Sequence, residues 1–321
     1  HLFVLYPEHG YVLPLGVLSA ITTVHRSLVV STAGDVYLGG SIGVDNNGAG
    51  YKKYAGGHLL RYHHRNDENT TIRIGQPLEV TDLGVAVAGE GIYSLAIDRT
   101  NSVIYGLSYP NGHFFSYAID EKRFTRHGVV ASQPIPGEKF ENEKALGRAI
   151  VIDDDAVVFT SGEAGRFFRF SPKAAKLEQL DAAIPGVPGR EIYNRVDAWA
   201  KAADGTLFGG SSDGYLFRLD PKNLQAENLG KPLNQYRIRG LAFGPNEKLY
   251  GVGGDDDEMA RLFSYDPTRG TYRVLGMVDV NHRPYYAWQA YVIDSVVSGL
   301  DGTIYMGQAE RKSKLYVYYP S

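Results

Sequence analysis

The chain has 321 residues, a formal net charge of -3 and no cysteine. The missing thiols exclude disulfides, thiolate metal sites and cysteine nucleophiles. A near-balanced charge without a basic stripe argues against a phosphate-backbone partner, and no run approaches the ~20 apolar residues of a membrane-spanning helix, so neither nucleic acid nor membrane is an expected partner.

In chain order the sequence opens on HLFVLYPEHGYVLPLG, which matches RLFSYDPTRGTYRVLG at Arg261 to Gly276. Between and beyond these lie six copies of one pattern, two short apolar-aromatic strands joined by a polar loop. They run Val36 to Tyr62, Ile104 to Tyr117, Val158 to Phe170, Leu207 to Leu219, Leu249 to Tyr265 and Ile304 to Tyr318. Most copies follow a small-residue or apolar strand, such as IYSLAID at Ile92 to Asp98 or IRGLAFG at Ile238 to Gly244. Several precede an edge-like strand ending near glycine, such as TYRVLGMV at Thr271 to Val278. Period-two alternation and turn dipeptides such as Asn111-Gly112 and Asp213-Gly214 carry the chain, and no long 3.6-residue period competes.

Four short strands per unit, at spacings of roughly 40 to 65 residues, is the pattern of a propeller blade. The expected fold is therefore all-β, a single β-propeller domain over residues 1 to 321 with four-stranded blades. Six blades are counted from the repeats and seven are possible. The C-terminal copy supplies three strands, so an N-terminal strand is expected to close the ring, which would remove an exposed edge.

In such a blade the loops entering the first strand share a face with those joining strands two and three, and rigidly held loops are where binding residues collect. That face gathers Lys53, Tyr109, His113, Arg148, Tyr193, Arg195, Asp197, Arg237, Arg239, Tyr286, Trp288, Glu310 and Arg311. Converging arginines repel one another unless carboxylates join them, supplied either by the chain's own aspartates or by an acidic ligand. Arginine's planar fork suits a carboxylate, and tyrosine and tryptophan offer faces to a sugar ring. An oligosaccharide or polysaccharide containing uronate is the expected partner.

Elimination at a uronate needs a cation on the carboxylate and groups that move protons. Tyr109, His113, Tyr193 and Arg195 suit the catalytic roles by type, with Arg148, Arg239, Tyr286, Trp288, Lys53, Glu310 and Arg311 binding substrate. Hydrolysis would instead require two carboxylates about 5 to 10 Å apart, drawn from Glu163, Asp197, Asp213, Glu258 and Glu310. A non-catalytic glycan- or protein-binding propeller is the third alternative. No cofactor is required by any of these. The run Asp255-Asp256-Asp257-Glu258 is either a solvated loop or a structural calcium site.

The recurring strands GHFFSY and RLFSYDP resemble those of secreted bacterial and fungal β-propellers. The aromatic, arginine and histidine content is similar to that of the propeller polysaccharide lyases and rhamnosyl-glucuronate-cleaving enzymes. That resemblance implies a lyase acting on acidic polysaccharide outside the cytoplasm, secreted or periplasmic with its signal peptide removed.

Overall fold

The computed structural model describes residues 1–18, 22–42, 55–64, 75–135, 144, 146–282, 284, 286–309 and 314–320, without the side chains of residues 22, 42, 281, 282 and 286. The chain divides into two compact units, His1–Val129 and Val130–Ser321.

The first unit opens with an antiparallel hairpin, β1 (Leu2–Tyr6) and β2 (Tyr11–Gly16). Two four-stranded antiparallel sheets follow. One is β3 (Thr22–Val30), β4 (Asp35–Ile42), β5 (His58–His63) and β6 (Thr81–Val85). The other is β7 (Gly91–Asp98), β8 (Val103–Tyr109), β9 (His113–Ala118) and β10 (Arg123–Val129). Their first strands touch through a single parallel bridge, Arg26 to Ser94. Tyr37 and Leu59 from one sheet and Ile92, Leu95, Ile104, Phe115 and Tyr117 from the other bury one another in a common core.

The second unit repeats this plan. Its sheets are β11 (Val151–Ile152) with β12 (Val158–Ser161), β13 (Arg166–Ser171) and β14 (Lys176–Ala183); β15 (Val196–Lys201) with β16 (Leu207–Ser211), β17 (Leu216–Leu219) and β18 (Ala226–Gly230); and β19 (Ile238–Phe243) with β20 (Leu249–Asp255), β21 (Glu258–Asp266) and β22 (Thr271–Met277). A hairpin of β23 (Asp279–His282) and β24 (Tyr286–Gln289) precedes a three-stranded sheet of β25 (Ile293–Ser298), β26 (Ile304–Gln308) and β27 (Leu315–Tyr318). Each interface between consecutive sheets has its own apolar filling. Phe159 and Phe167 meet Val196 and Phe217, Phe208 and Leu216 meet Ile238 and Phe263, and Tyr250 and Leu262 meet Ile293 and Met306. Face-to-face burial of this kind, at roughly 25 cal/mol per Å² of apolar surface, is what lets short strands form a stable stack.

The repeated sequence pattern has a packing reason. In three sheets a glycine of the second strand stands opposite an aromatic of the third: Gly106 to Phe115, Gly209 to Phe217 and Gly251 to Phe263. A Cβ on these glycines would meet the ring of its partner at 2.1 to 2.3 Å, so the absent side chain is the space the ring fills. The hairpin β1–β2 shares the shifted register of β21–β22, with Leu2 opposite Gly16 as Leu262 is opposite Gly276. The segment Asp279 to Trp288, which has no strand in the repeat pattern read from sequence, is largely the hairpin β23–β24. Its alternating Val280 and Trp288 face one another in register, and that pairing satisfies backbone groups a loop would leave to water.

The glycine–aromatic pairing leads to a direct test. Gly209→Ala is expected to destabilise the protein by roughly 1–3 kcal/mol through overpacking against Phe217, measured by urea unfolding. An unchanged midpoint would show that the ring yields freely.

Candidate functional site

A 420 Å³ cleft in the second unit is lined by Ile135, Arg190, Tyr193, Arg195, Ser212, Asp213, Tyr236, Arg237 and Asp255. Every one of these residues lies on a segment entering a first strand or at a junction of strands two and three. The segment entering β15 gives Arg190, Tyr193 and Arg195, and the β16–β17 turn gives Ser212 and Asp213. The approach to β19 gives Tyr236 and Arg237, and the end of β20 gives Asp255.

A repeated irregularity of the first strands sets the charges beneath this cleft. The register shifts across Tyr93 in β7, Asp197 in β15, Arg239 in β19 and Asp294 in β25, so each strand carries one extra residue at the same step. A bulge of this type re-aims a side chain without ending the ladder. Arg148 stands at the corresponding place ahead of β11, where the Gly147 amide donates to the Ser161 carbonyl. Within the second unit the series therefore reads Arg148, Asp197, Arg239, Asp294, with the charge alternating from one sheet to the next.

Ion pairs join these positions. Arg237 donates to both oxygens of Asp197, Nε at 2.7 Å and Nη2 at 2.9 Å, and Asp197 is fully buried. Arg148 Nε lies 3.9 Å from Asp197 Oδ1. Arg239 donates to Asp294 at 2.5 Å and to Asp255 at 2.6 Å, and Asp255 lies 3.6 Å from Arg237. Burial alone would raise the Asp197 carboxyl, but Arg237, Arg148 and Arg195 outweigh it and hold the group well below the usual carboxylate range. Asp255 is lowered in the same way, burial opposing it and Arg239 and Arg237 prevailing.

The wall facing these pairs is tied down by backbone contacts. Asn194 donates to the carbonyls of Ile184 and Pro185, and the Arg195 amide donates to Ser212 Oγ. Asp213 is buried, accepts from the Val187 amide at 2.9 Å and lies 3.6 Å from Arg190 Nε. The Arg190 guanidinium also sits 6.0 Å from the Tyr193 ring centre. Five arginines, at positions 148, 190, 195, 237 and 239, therefore meet four aspartates, at 197, 213, 255 and 294.

The residues singled out from sequence divide between the units. Tyr193 and Arg195 share the cleft, while Arg148 and Arg239 belong to the ion pairs beside and beneath it. Tyr109 and His113 belong to the first unit, at the β8–β9 turn. Trp288 lies in the hairpin β24, with Lys314 Nζ 3.8 Å from its ring centre, so one aromatic face already carries a cation. Lys53, Glu310, Arg311 and the side chain of Tyr286 lie outside what the structure describes.

The carboxylates considered for hydrolysis are engaged individually. Glu163 accepts from the Ser132 and Gln133 amides and Glu258 from the Tyr236 amide, while Asp197 and Asp213 are held as described. In the acidic run, Asp255 faces Arg237 and Arg239. Among the described residues no three potential ligands gather as a metal site. Sequence reading did not single out Arg190, Ser212, Tyr236 or Ile135. Alignment on the bulged step would have shown Arg195 and Arg237 to be equivalent, each two residues ahead of it, and pointed to their loops.

The fold class these sheets define is all-β and β-propeller-like, and known structures share it. A catalytically inactive variant of virginiamycin B lyase from Staphylococcus aureus, crystallised with quinupristin, superposes at TM-score 0.62 with 11% identity, over 94% of this chain and 86% of that one. A streptogramin B lyase superposes at 0.61 with 12% identity, over 95% and 85%. A chain of the mitotic checkpoint complex does so at 0.57 with 12% identity, over 95% and 91%. No family model matches the sequence, and no curated protein matches it.

The buried pair supplies a prediction with a defined sign. The Asp197 carboxyl is depressed in the folded state, so its stabilisation is present above its unfolded value of about 3.9 and is lost as pH falls through the lower folded value. Asp197→Asn is expected to cost roughly 3–5 kcal/mol at neutral pH by stranding Arg237. It is also expected to flatten the fall in stability below about pH 4. Urea midpoints at pH 7 and pH 3 check both, and an equal acid loss in the variant would refute the assignment.

Proposed function

We propose that the cleft of the second unit binds a uronate-containing oligosaccharide or polysaccharide and cleaves it by elimination. The observation that carries this reading is the convergence of Arg190, Arg195 and Arg237 with Tyr193 and Tyr236 on one 420 Å³ cleft. Arg195, with Arg190 at the rim, pairs with the substrate carboxylate and makes the neighbouring carbon more acidic. The proton on that carbon passes to a base, its electrons form the new double bond, and the bond to the leaving sugar oxygen breaks as that oxygen gains a proton. Tyr193, on the same short segment as both arginines, fills both roles: its phenol gives its proton to the leaving oxygen, and the phenolate so formed takes the proton from carbon. The lyases named above support elimination as chemistry that a β-propeller-like fold can host. Such a substrate would be met outside the cytoplasm. The same proposal holds six blades in a closed ring, supported by five four-stranded sheets, one three-stranded sheet and an N-terminal hairpin in blade register.

A binding-only propeller is the second reading. It is favoured by one observation, that Asp197, Asp255 and Asp294 already pair with Arg237 and Arg239 and so reduce the need for an anionic ligand.

A panel of uronate oligosaccharides, followed by the ultraviolet absorbance of the unsaturated product, separates these readings. Turnover by the wild-type protein, with kcat/KM reduced about 10²- to 10⁴-fold in Tyr193→Phe and Arg195→Ala, is expected. Binding without turnover would favour the scaffold, and new reducing ends without unsaturation would indicate hydrolysis.

A further inference from the structure

The first unit carries a second arrangement with the features of a proton-transfer site, at the β7–β8–β9 end where the segment entering β7 meets the β8–β9 turn. Glu90 is 5% exposed, and a carboxylate this deeply buried must be neutralised or hydrogen-bonded. Ser108 Oγ donates to its Oε2 at 2.5 Å and Asn111 Nδ2 donates to its Oε1 at 2.8 Å. The same Ser108 Oγ accepts from the His113 amide at 2.9 Å, so the turn and the carboxylate are held as one piece.

His113 then places Nδ1 3.0 Å from Glu90 Oε1, an ion-pair distance without full hydrogen-bond alignment. Nδ1 is shielded from solvent while the side chain as a whole keeps 29% exposure. The open edge of the ring is therefore on the far side from Glu90. On the same sheet the Tyr93 and Tyr109 rings pack with centroids 5.5 Å apart, the His25 ring lies 5.9 Å from Tyr93, and Tyr93 is the residue at the bulged step of β7. The first unit thus uses for an aromatic the step that the second unit uses for ion pairs.

We infer that His113 is the proton acceptor of a site in the first unit, with Glu90 as its positioning residue. In the neutral ring the proton sits on Nδ1, facing Glu90, and Nε2 carries the lone pair. As the Nε2–H bond forms, the ligand's bond to that proton breaks and its electron pair stays on the ligand; the ring becomes an imidazolium, whose charge the fixed carboxylate stabilises. A carboxylate orienting a histidine through Nδ1 is the general arrangement that makes the opposite nitrogen a base. This site is independent of the cleft in the second unit, and its test needs no substrate of that cleft.

Two measurements decide it. Long-range proton–nitrogen NMR on the wild-type protein reports the tautomer of His113. The Nδ1–H form is expected, moving toward a mixture in Glu90→Gln, and a predominant Nε2–H form in the wild type would overturn the proposal. Hydrolysis of 4-nitrophenyl acetate, an activated ester that responds to an exposed imidazole lone pair, reports competence. His113→Ala is expected to lose at least half of the protein-dependent rate, and Glu90→Gln to lower it severalfold with the circular dichroism spectrum unchanged. Equal rates in wild type and His113→Ala would also overturn it. If Glu90→Gln does not fold, the wild-type tautomer and the His113→Ala rate still decide the outcome.

Discussion

The buried pair of Arg237 and Asp197 is the interaction on which the second unit's cleft depends. Asp197 belongs to β15 and Arg237 stands just ahead of β19, so the two hydrogen bonds between them join neighbouring sheets at their first strands. Such a pair adds little net stability compared with apolar residues of the same volume, but removing one partner strands a charge in the interior. Its main contribution is positional. It fixes Arg237 at the floor of the cleft, and Asp255, 3.6 Å from Arg237 and bonded to Arg239, carries the constraint to the next sheet. Asp294 extends it once more. The apolar clusters hold the sheets face to face, and this chain of charges sets how their first strands align.

The same economy bears on ligand recognition. Arginines beneath the cleft are already matched by aspartates, so on the function proposed above the selectivity would fall to the other lining residues, Arg190, Tyr193, Arg195 and Tyr236. Arg190 is partly exposed and shares Asp213 with a backbone amide, which leaves it less enclosed than Arg237 and Arg239. An acidic ligand would compete with Asp213 for Arg190 and would meet Arg195 on a segment held by Asn194 and Ser212. Rigid wall and adjustable rim are thus assigned to different residues of one short stretch.

Much of the fold could be read from the chain because it repeats. Six copies of a strand pair, with glycine facing an aromatic in three of them, reflect a steric requirement that one sequence displays several times over. The loop classes that would bear the cleft were also legible, since they follow from strand order alone. What escaped was pairwise. Nothing in the spelling of REIYNRVDAW says that Asp197 will find Arg237, 40 residues away, or that Arg195 and Tyr193 will share a cleft with Asp213. Glu90 was missed for the same reason, because its partners Ser108, Asn111 and His113 are distant in sequence and close only after β7 and β8 pair. The hairpin β23–β24 escaped because its strands are four residues each and its period is too short to stand out.

The shared bulge in β7, β15, β19 and β25 has a wider consequence. At that step the backbone ladder has already given up regular pairing, so the identity of the residue there is not constrained by the sheet's own geometry. Tyrosine, aspartate and arginine all occupy it in this one molecule, at Tyr93, Asp197, Arg239 and Asp294, while isoleucine or valine precedes it and a small residue follows it in all four strands. Substitution at this step can therefore alter the chemistry of that face while leaving the pairing of the sheets intact. Four strands of this one chain carry such a position, whereas the irregularity of β3 is of another kind, Val24 to Leu28 standing opposite Gly40 to Leu38.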